Sequence, residues 1–117
     1  DSEKVEQLVA AVKQKVFSDN LTTRDDIKDA INASANALDI KLSDDDVNKI
    51  TDMMEKVSKV DVDVDAIKDQ AKDIYNKLKD SGIDFSKVDT EGLSEKVGGF
   101  FSNIFDAIKD FFTGLFG

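Results

Sequence analysis

A chain of 117 residues can form one compact domain but not two with separate cores. Its 25 acidic residues against 16 basic ones leave a net charge of −9, which opposes a nucleic-acid partner because phosphate binding depends on Lys and Arg displacing counterions. The absence of His and Cys excludes a Ser-His-Asp triad, a thiol nucleophile, an imidazole or thiolate zinc site and any disulfide, which leaves carboxylate, Lys, hydroxyl or oxygen-ligated metal chemistry.

Val5, Leu8, Val9, Val12 and Val16 recur at helical spacing, so a first amphipathic helix is expected over residues 3–17. Asp19 and Asn20 read as a turn. Thr23 with Asp26 three residues later imitates a capping box, and it opens a second helix whose inner face is Ile27, Ile31, Ser34 and Leu38. Ser43 begins a third helix with Asp44, Asp45 and Asp46 in its first turn and Val47, Ile50, Met54 and Val57 facing inward; Leu42 and Val47 are placed as a hydrophobic staple. Residues 60–65 alternate Val and Asp, a period-two pattern taken as an extended connection into a fourth helix. That helix carries Val64, Ile67, Ala71, Ile74, Tyr75 and Leu78, with Gly82 where a left-handed stop is wanted. Ile83, Phe85 and Val88 make a short apolar connector. Thr90 and Glu91 restart a helix through Leu93 and Val97, and Gly98 and Gly99 break it, since each Gly costs about 1 kcal/mol in a helix interior.

Six of the eight Phe residues fall in the last eighteen positions. In heptad register Phe101, Ile108 and Leu115 share one seam position, Ile104 and Phe111 the other, with Phe105 and Phe112 beside them. Ser102, Asn103, Asp106, Lys109, Asp110 and Thr113 are expected on the opposite face. Such a helix closes its own domain's core, lies in a membrane interface or docks in a partner's groove. Its polar face lacks the Lys and Arg excess of lipid-seeking helices, and the rest of the chain is short of large apolar side chains; both favour the core. The Gly pair and the terminal position favour a helix that can swing outward. The candidate interaction residues are Phe100, Phe101, Ile104, Phe105, Ile108, Phe111, Phe112, Leu115 and Phe116.

Asp61, Asp63 and Asp65 match the first three ligand positions of a calcium loop, making them the candidate metal ligands. The match stops there, because the turn position is Ala66 rather than Gly and the twelfth position is Lys72 rather than Glu. Helix capping and compensation of the helix dipole explain the same acids. Carboxylate pairs at glycosidase spacing arise in any fold this acidic, so they point to no hydrolase. No phosphate loop or nucleophile elbow supports an enzyme, and no cofactor is expected. No apolar run approaches the roughly 18 residues of a membrane-spanning helix. The start at Asp1 without Met leads us to expect a mature product after removal of a leader, or an excised domain.

Several phrases together resemble a known family: Leu42-Ser43-Asp44-Asp45-Asp46-Val47-Asn48-Lys49-Ile50, Met53 to Val60, Asp63-Val64-Asp65-Ala66-Ile67-Lys68-Asp69-Gln70-Ala71-Lys72, and the Gly-Gly-Phe-Phe opening of the last helix. Over residues 20–117 the chain resembles the C-terminal part of the YpuA-like exported proteins of Firmicutes, which share domain of unknown function 1002. The resemblance implies an extracytoplasmic, secreted or envelope-associated protein from a Gram-positive bacterium, and it supplies no activity and no site residues.

The expected architecture is all-α: a bundle of four amphipathic helices over residues 1–97 and a hinged, Phe-rich helix over 98–117. The expected function is a non-enzymatic exported interaction module whose last helix associates with a membrane surface, a protein partner or a second copy. A divalent-cation-binding domain and a purely structural domain with the last helix in its own core are the alternatives.

Overall fold

The computed structural model describes residues 2–17 and 23–116, with side chains from Glu3 onward; the expected turn at Asp19 and Asn20 lies outside the described residues. The chain is all-α. Its elements are α1 (Ser2–Phe17), α2 (Arg24–Ala37), α3 (Asp44–Ser58), α4 (Val64–Asp80), a one-turn 3-10 helix (Phe85–Lys87), α5 (Thr90–Val97) and α6 (Gly99–Phe116).

The helix starts follow from capping chemistry. The Thr23 hydroxyl accepts the Asp26 N–H at 3.2 Å and Ser43 accepts that of Asp46 at 3.1 Å, each answering a backbone donor left over in the first turn. Asp63 caps α4 by accepting from the Ala66 N–H at 3.2 Å. The alternating Val and Asp stretch before it forms no strand; it is an irregular connection that leaves Val60 95% exposed. α5 starts at Thr90, where the restart was expected, and its cap is Asp89: one carboxylate oxygen accepts from the N–H groups of Glu91 and Gly92. Thr90 instead donates its hydroxyl to Asp106 on α6 at 3.0 Å.

Gly98 is the whole of the expected break between α5 and α6. At φ 89 and ψ 170 it occupies a backbone region open essentially to Gly alone, and α6 resumes at the next residue. The break turns the chain without dividing the core. Among the described residues, α6 packs against α1, α2, α5 and the 3-10 turn, so residues 98–116 belong to the same hydrophobic interior as the bundle.

Ile104, Phe105, Ala107, Ile108, Phe111 and Phe112 are each no more than 1% exposed. With Ser102 also buried, the covered arc exceeds half the circumference at 3.6 residues per turn. Ser102, expected on the polar face, instead lies inside and donates its hydroxyl to the Gly99 carbonyl at 3.0 Å. Phe112 sits amid an aromatic cluster, with ring centroids 5.7 Å from Tyr75, 5.2 Å from Phe85 and 6.3 Å from Phe116. Alpha-helices α1 and α6 run antiparallel, since Lys15 pairs with Asp106 while Leu8 lies against Gly114. A Cβ on Gly114 would sit 2.7 Å from a Leu8 methyl, so the glycine permits this close approach.

Polar contacts fix the same helix. Ser34, fully buried on α2, donates to the Phe101 carbonyl at 3.0 Å, and Lys109 donates to the Val88 carbonyl at 2.7 Å. Lys15 bonds Asp106 and lies 3.3 Å from Asp110. Burial weakens the Lys15 charge, but the bonds and charges of Asp106 and Asp110 outweigh it and raise its pKa. Full burial of five large α6 side chains contributes on the order of 10 kcal/mol, at about 1.5–3 kcal/mol each. This burial makes α6 part of the core that holds the other helices together.

Candidate functional site

The residues singled out from the sequence separate into two groups. Ile104, Phe105, Ile108, Phe111 and Phe112 are interior, and Phe101, Leu115 and Phe116 are partly buried against the core. Only Phe100 of the aromatic set is offered to solvent, at 40% exposure, stacked on Phe101 with centroids 5.7 Å apart. The expectation of an outward stripe therefore narrows to this corner, because the face that would meet a membrane or a groove already packs against α1, α2, α5 and the 3-10 turn. Asp61, Asp63 and Asp65 are exposed, and among the described residues no three acidic side chains gather as a cation site. The Asp63 carboxylate is engaged at the helix cap.

Other acids hold the helices together. Asp45 at the start of α3 bonds Lys77 near the end of α4, and Asp46 lies 3.3 Å from the same ammonium. Lys77 pulls the Asp45 carboxyl below its ordinary range, and Asp45 in turn raises the Lys77 pKa. Arg24 on α2 bonds Asp52 on α3 and reaches Glu55 at 3.7 Å.

The concave feature of the surface lies elsewhere, where the α2–α3 connection faces the segment between α4 and α5. A cleft of about 490 Å³ opens there. Leu38, Ile40 and Ile83, half-buried, and Val88, buried, supply its aliphatic surface, and the exposed Asp39, Lys41, Asp84, Lys87 and Asp89 line it as well. A second hollow of about 300 Å³ shares Asp39, Ile40 and Lys41 and adds the amides of Asn32 and Asn36, so the 39–41 turn has a depression on each side.

The two walls are built alike. At the end of α2 the Ile40 N–H bonds the Ala35 carbonyl at 2.8 Å and the Asp39 N–H bonds Asn36 at 3.1 Å; at the end of α4 the Ile83 N–H bonds Leu78 at 3.0 Å and the Gly82 N–H bonds Lys79 at 3.0 Å. Both are Schellman closures, in which one left-handed residue lets the chain cap its own helix. Gly82 takes that position in α4 at φ 91, whereas in α2 it falls to Asp39 at φ 58, the one described non-Gly residue with positive φ. Ile40 and Ile83 follow at matching places, each packed in part against the core, and both line the cleft.

The charged residues of the cleft differ in what engages them. Asp84 accepts from the Ser86 N–H at 3.0 Å and from its hydroxyl at 2.6 Å, and these bonds hold its carboxyl below the ordinary range. Asp89 caps α5, and Lys87 lies 4.0 Å from Asp84. The side chains of Asp39 and Lys41 have no hydrogen-bond or ion-pair partner among the described residues. Sequence reasoning recognised Gly82 as a helix stop but missed the cleft. The signal available was the matching order of a turn residue followed by Ile at 39–40 and 82–83.

Comparison with protein families matches residues 1–74 to the family described as protein of unknown function (DUF1002), more than half of the chain's 117 residues. The chain belongs to the DUF1002 family. The match takes in α1, which the resemblance read from the sequence had left out, and it ends inside α4, before the Gly-Gly-Phe-Phe phrase. The cleft thus joins a DUF1002-matched wall, residues 38–41, to a wall at 81–89 beyond the matched stretch. No curated protein and no solved structure matches the chain.

Proposed function

We propose that this DUF1002 chain is a non-enzymatic, exported interaction module that receives a segment of a partner protein in the cleft between residues 38–41 and 81–89. The observation that carries the reading is a preformed concavity of about 490 Å³ in which four aliphatic side chains stand among five charged ones. Its volume falls within the range of about 300–1,000 Å³ usual for ligand-binding clefts. Most of the other acids discussed above already serve as helix caps or helix-to-helix pairs, which supports a recognition role over acid–base chemistry. The extracytoplasmic location rests on the resemblance to exported YpuA-like proteins.

A second reading keeps the envelope contact at the α5–α6 corner, where Phe100 stands exposed beside Phe101. It uses the edge of the aromatic helix and needs no release of its buried face. The two readings separate in one experiment. Intact chain, its Ile83→Asp variant and its Phe100→Ser variant are immobilised and exposed to solubilised envelope proteins, after circular dichroism shows all three folded. A partner retained by Phe100→Ser and lost with Ile83→Asp supports the cleft; the opposite pattern supports the corner. Equal capture by all three overturns both.

A further inference from the structure

The cleft's chemistry specifies the kind of segment it receives, an inference that rests on the cleft being the docking surface. Three carboxylates, Asp39, Asp84 and Asp89, face two ammonium groups, Lys41 and Lys87. A helix C-terminus carries roughly half a negative charge. At the walls Lys96, donating to the Ala37 carbonyl at 3.4 Å, answers the end of α2, and Lys77 and Lys79 stand in the last turn of α4, so the surplus rests on the carboxylates. The positive N-terminus of α5 reaches the same cleft, but Asp89 already answers it by accepting two of its N–H groups.

The individual carboxylates sharpen the picture. Asp84 accepts two bonds from Ser86 and lies 4.0 Å from Lys87, whereas the Asp39 side chain meets solvent beside Ile40 without a partner among the described residues. An approaching cation therefore finds a carboxylate next to apolar surface, where the stem of Lys or Arg can lie along Ile40 and Ile83 while its head stays at the wet edge. The chain's net charge of −9 favours the approach of a basic segment and repels an acidic one.

We infer that the cleft between the two helix ends binds an extended peptide segment in which Lys or Arg alternates with aliphatic residues, the cation pairing with Asp39 and Asp84 and the aliphatic side chains seating against Ile40 and Ile83.

The test is a nitrogen-15 amide NMR titration of the intact chain with three blocked peptides: Leu-Lys-Leu-Lys-Leu, Leu-Ser-Leu-Ser-Leu and Leu-Glu-Leu-Glu-Leu. The Lys peptide is expected to shift amides at 38–41 and 81–89 saturably, and to bind at least five-fold more weakly to Asp39→Asn, which keeps a residue that tolerates the left-handed turn. If the Ser or Glu peptide shifts the same amides equally well, the charge preference is overturned while the cleft remains a docking surface. If no peptide shifts these amides, both fail. Shifts spread over the exposed acids of α3 and α4 instead would mean diffuse charge attraction and would also overturn the inference.

Discussion

Replacing Phe112 by Ala removes a side chain that is 1% exposed and is surrounded by Tyr75, Phe85, Phe111 and Phe116. A buried Phe→Ala change costs about 3–5 kcal/mol through lost transfer energy and the cavity left behind. The three aromatic partners in the tighter contacts place this site at the upper end, since each such pair is worth about 0.5–1.5 kcal/mol beyond area. Phe100, 40% exposed on the same helix, serves as the internal control: Phe100→Ala is expected to change stability by no more than about 1 kcal/mol. Urea unfolding followed by far-ultraviolet circular dichroism measures both, with Phe112→Leu as a milder variant if Phe112→Ala fails to fold. A Phe112→Ala cost below that of Phe100→Ala would refute the placement of α6 as core, because it would put the aromatic face outside.

Other substitutions test the backbone and the charges. Gly98→Ala forces a side chain into a region open essentially to Gly; no neighbouring atom lies within 4 Å, so the expected loss of about 1–3 kcal/mol is backbone strain alone, read as a lower urea midpoint. Asp39→Gly relieves a left-handed strain of about 1–2 kcal/mol and adds unfolded-chain entropy of about 0.4–1 kcal/mol, so the variant should be slightly more stable by thermal melt and weaker for the Lys peptide. Lys77 depresses the Asp45 pKa, so this pair contributes stability above the ordinary carboxylate range that is lost as pH falls through the folded value; Asp45→Asn should flatten the acid limb of a stability–pH profile without changing its neutral plateau in slope. Ser34→Ala should cost about 1 kcal/mol by denaturant melt, since it breaks the bond that holds the Phe101 carbonyl against α2.

The helices were legible because their physics is local. Periodicity placed Val47, Ile50 and Met54 inward, and hydroxyl caps at Thr23 and Ser43 marked starts that the structure places at the next residue. Helix periodicity also showed that Phe105 and Phe112 share a face, but not what covers that face. That depends on α1 and α2, residues far away in sequence. Ser102 was misplaced for the same reason: α6 is covered over a wider arc than an amphipathic seam requires, and a heptad count has no knowledge of neighbours on three sides. The restart at Thr90 was legible too, although its cap, Asp89, went unnamed, and the Thr90 hydroxyl is directed to Asp106 by the fold. The cleft was the least legible feature. It exists only because two helix ends more than forty residues apart come to face one another, and at one of them an Asp stands where the turn geometry favours Gly.

The central claim is that α6 belongs to the domain's core. Amide hydrogen exchange on the intact chain, comparing Ile104–Phe112 with Val47–Val57 across a dilution series, tests it without any ligand. The account predicts protection in α6 equal to that in α3 and independent of protein concentration. Rapid exchange in α6 beside a protected α3, or protection gained only at high concentration, would contradict it.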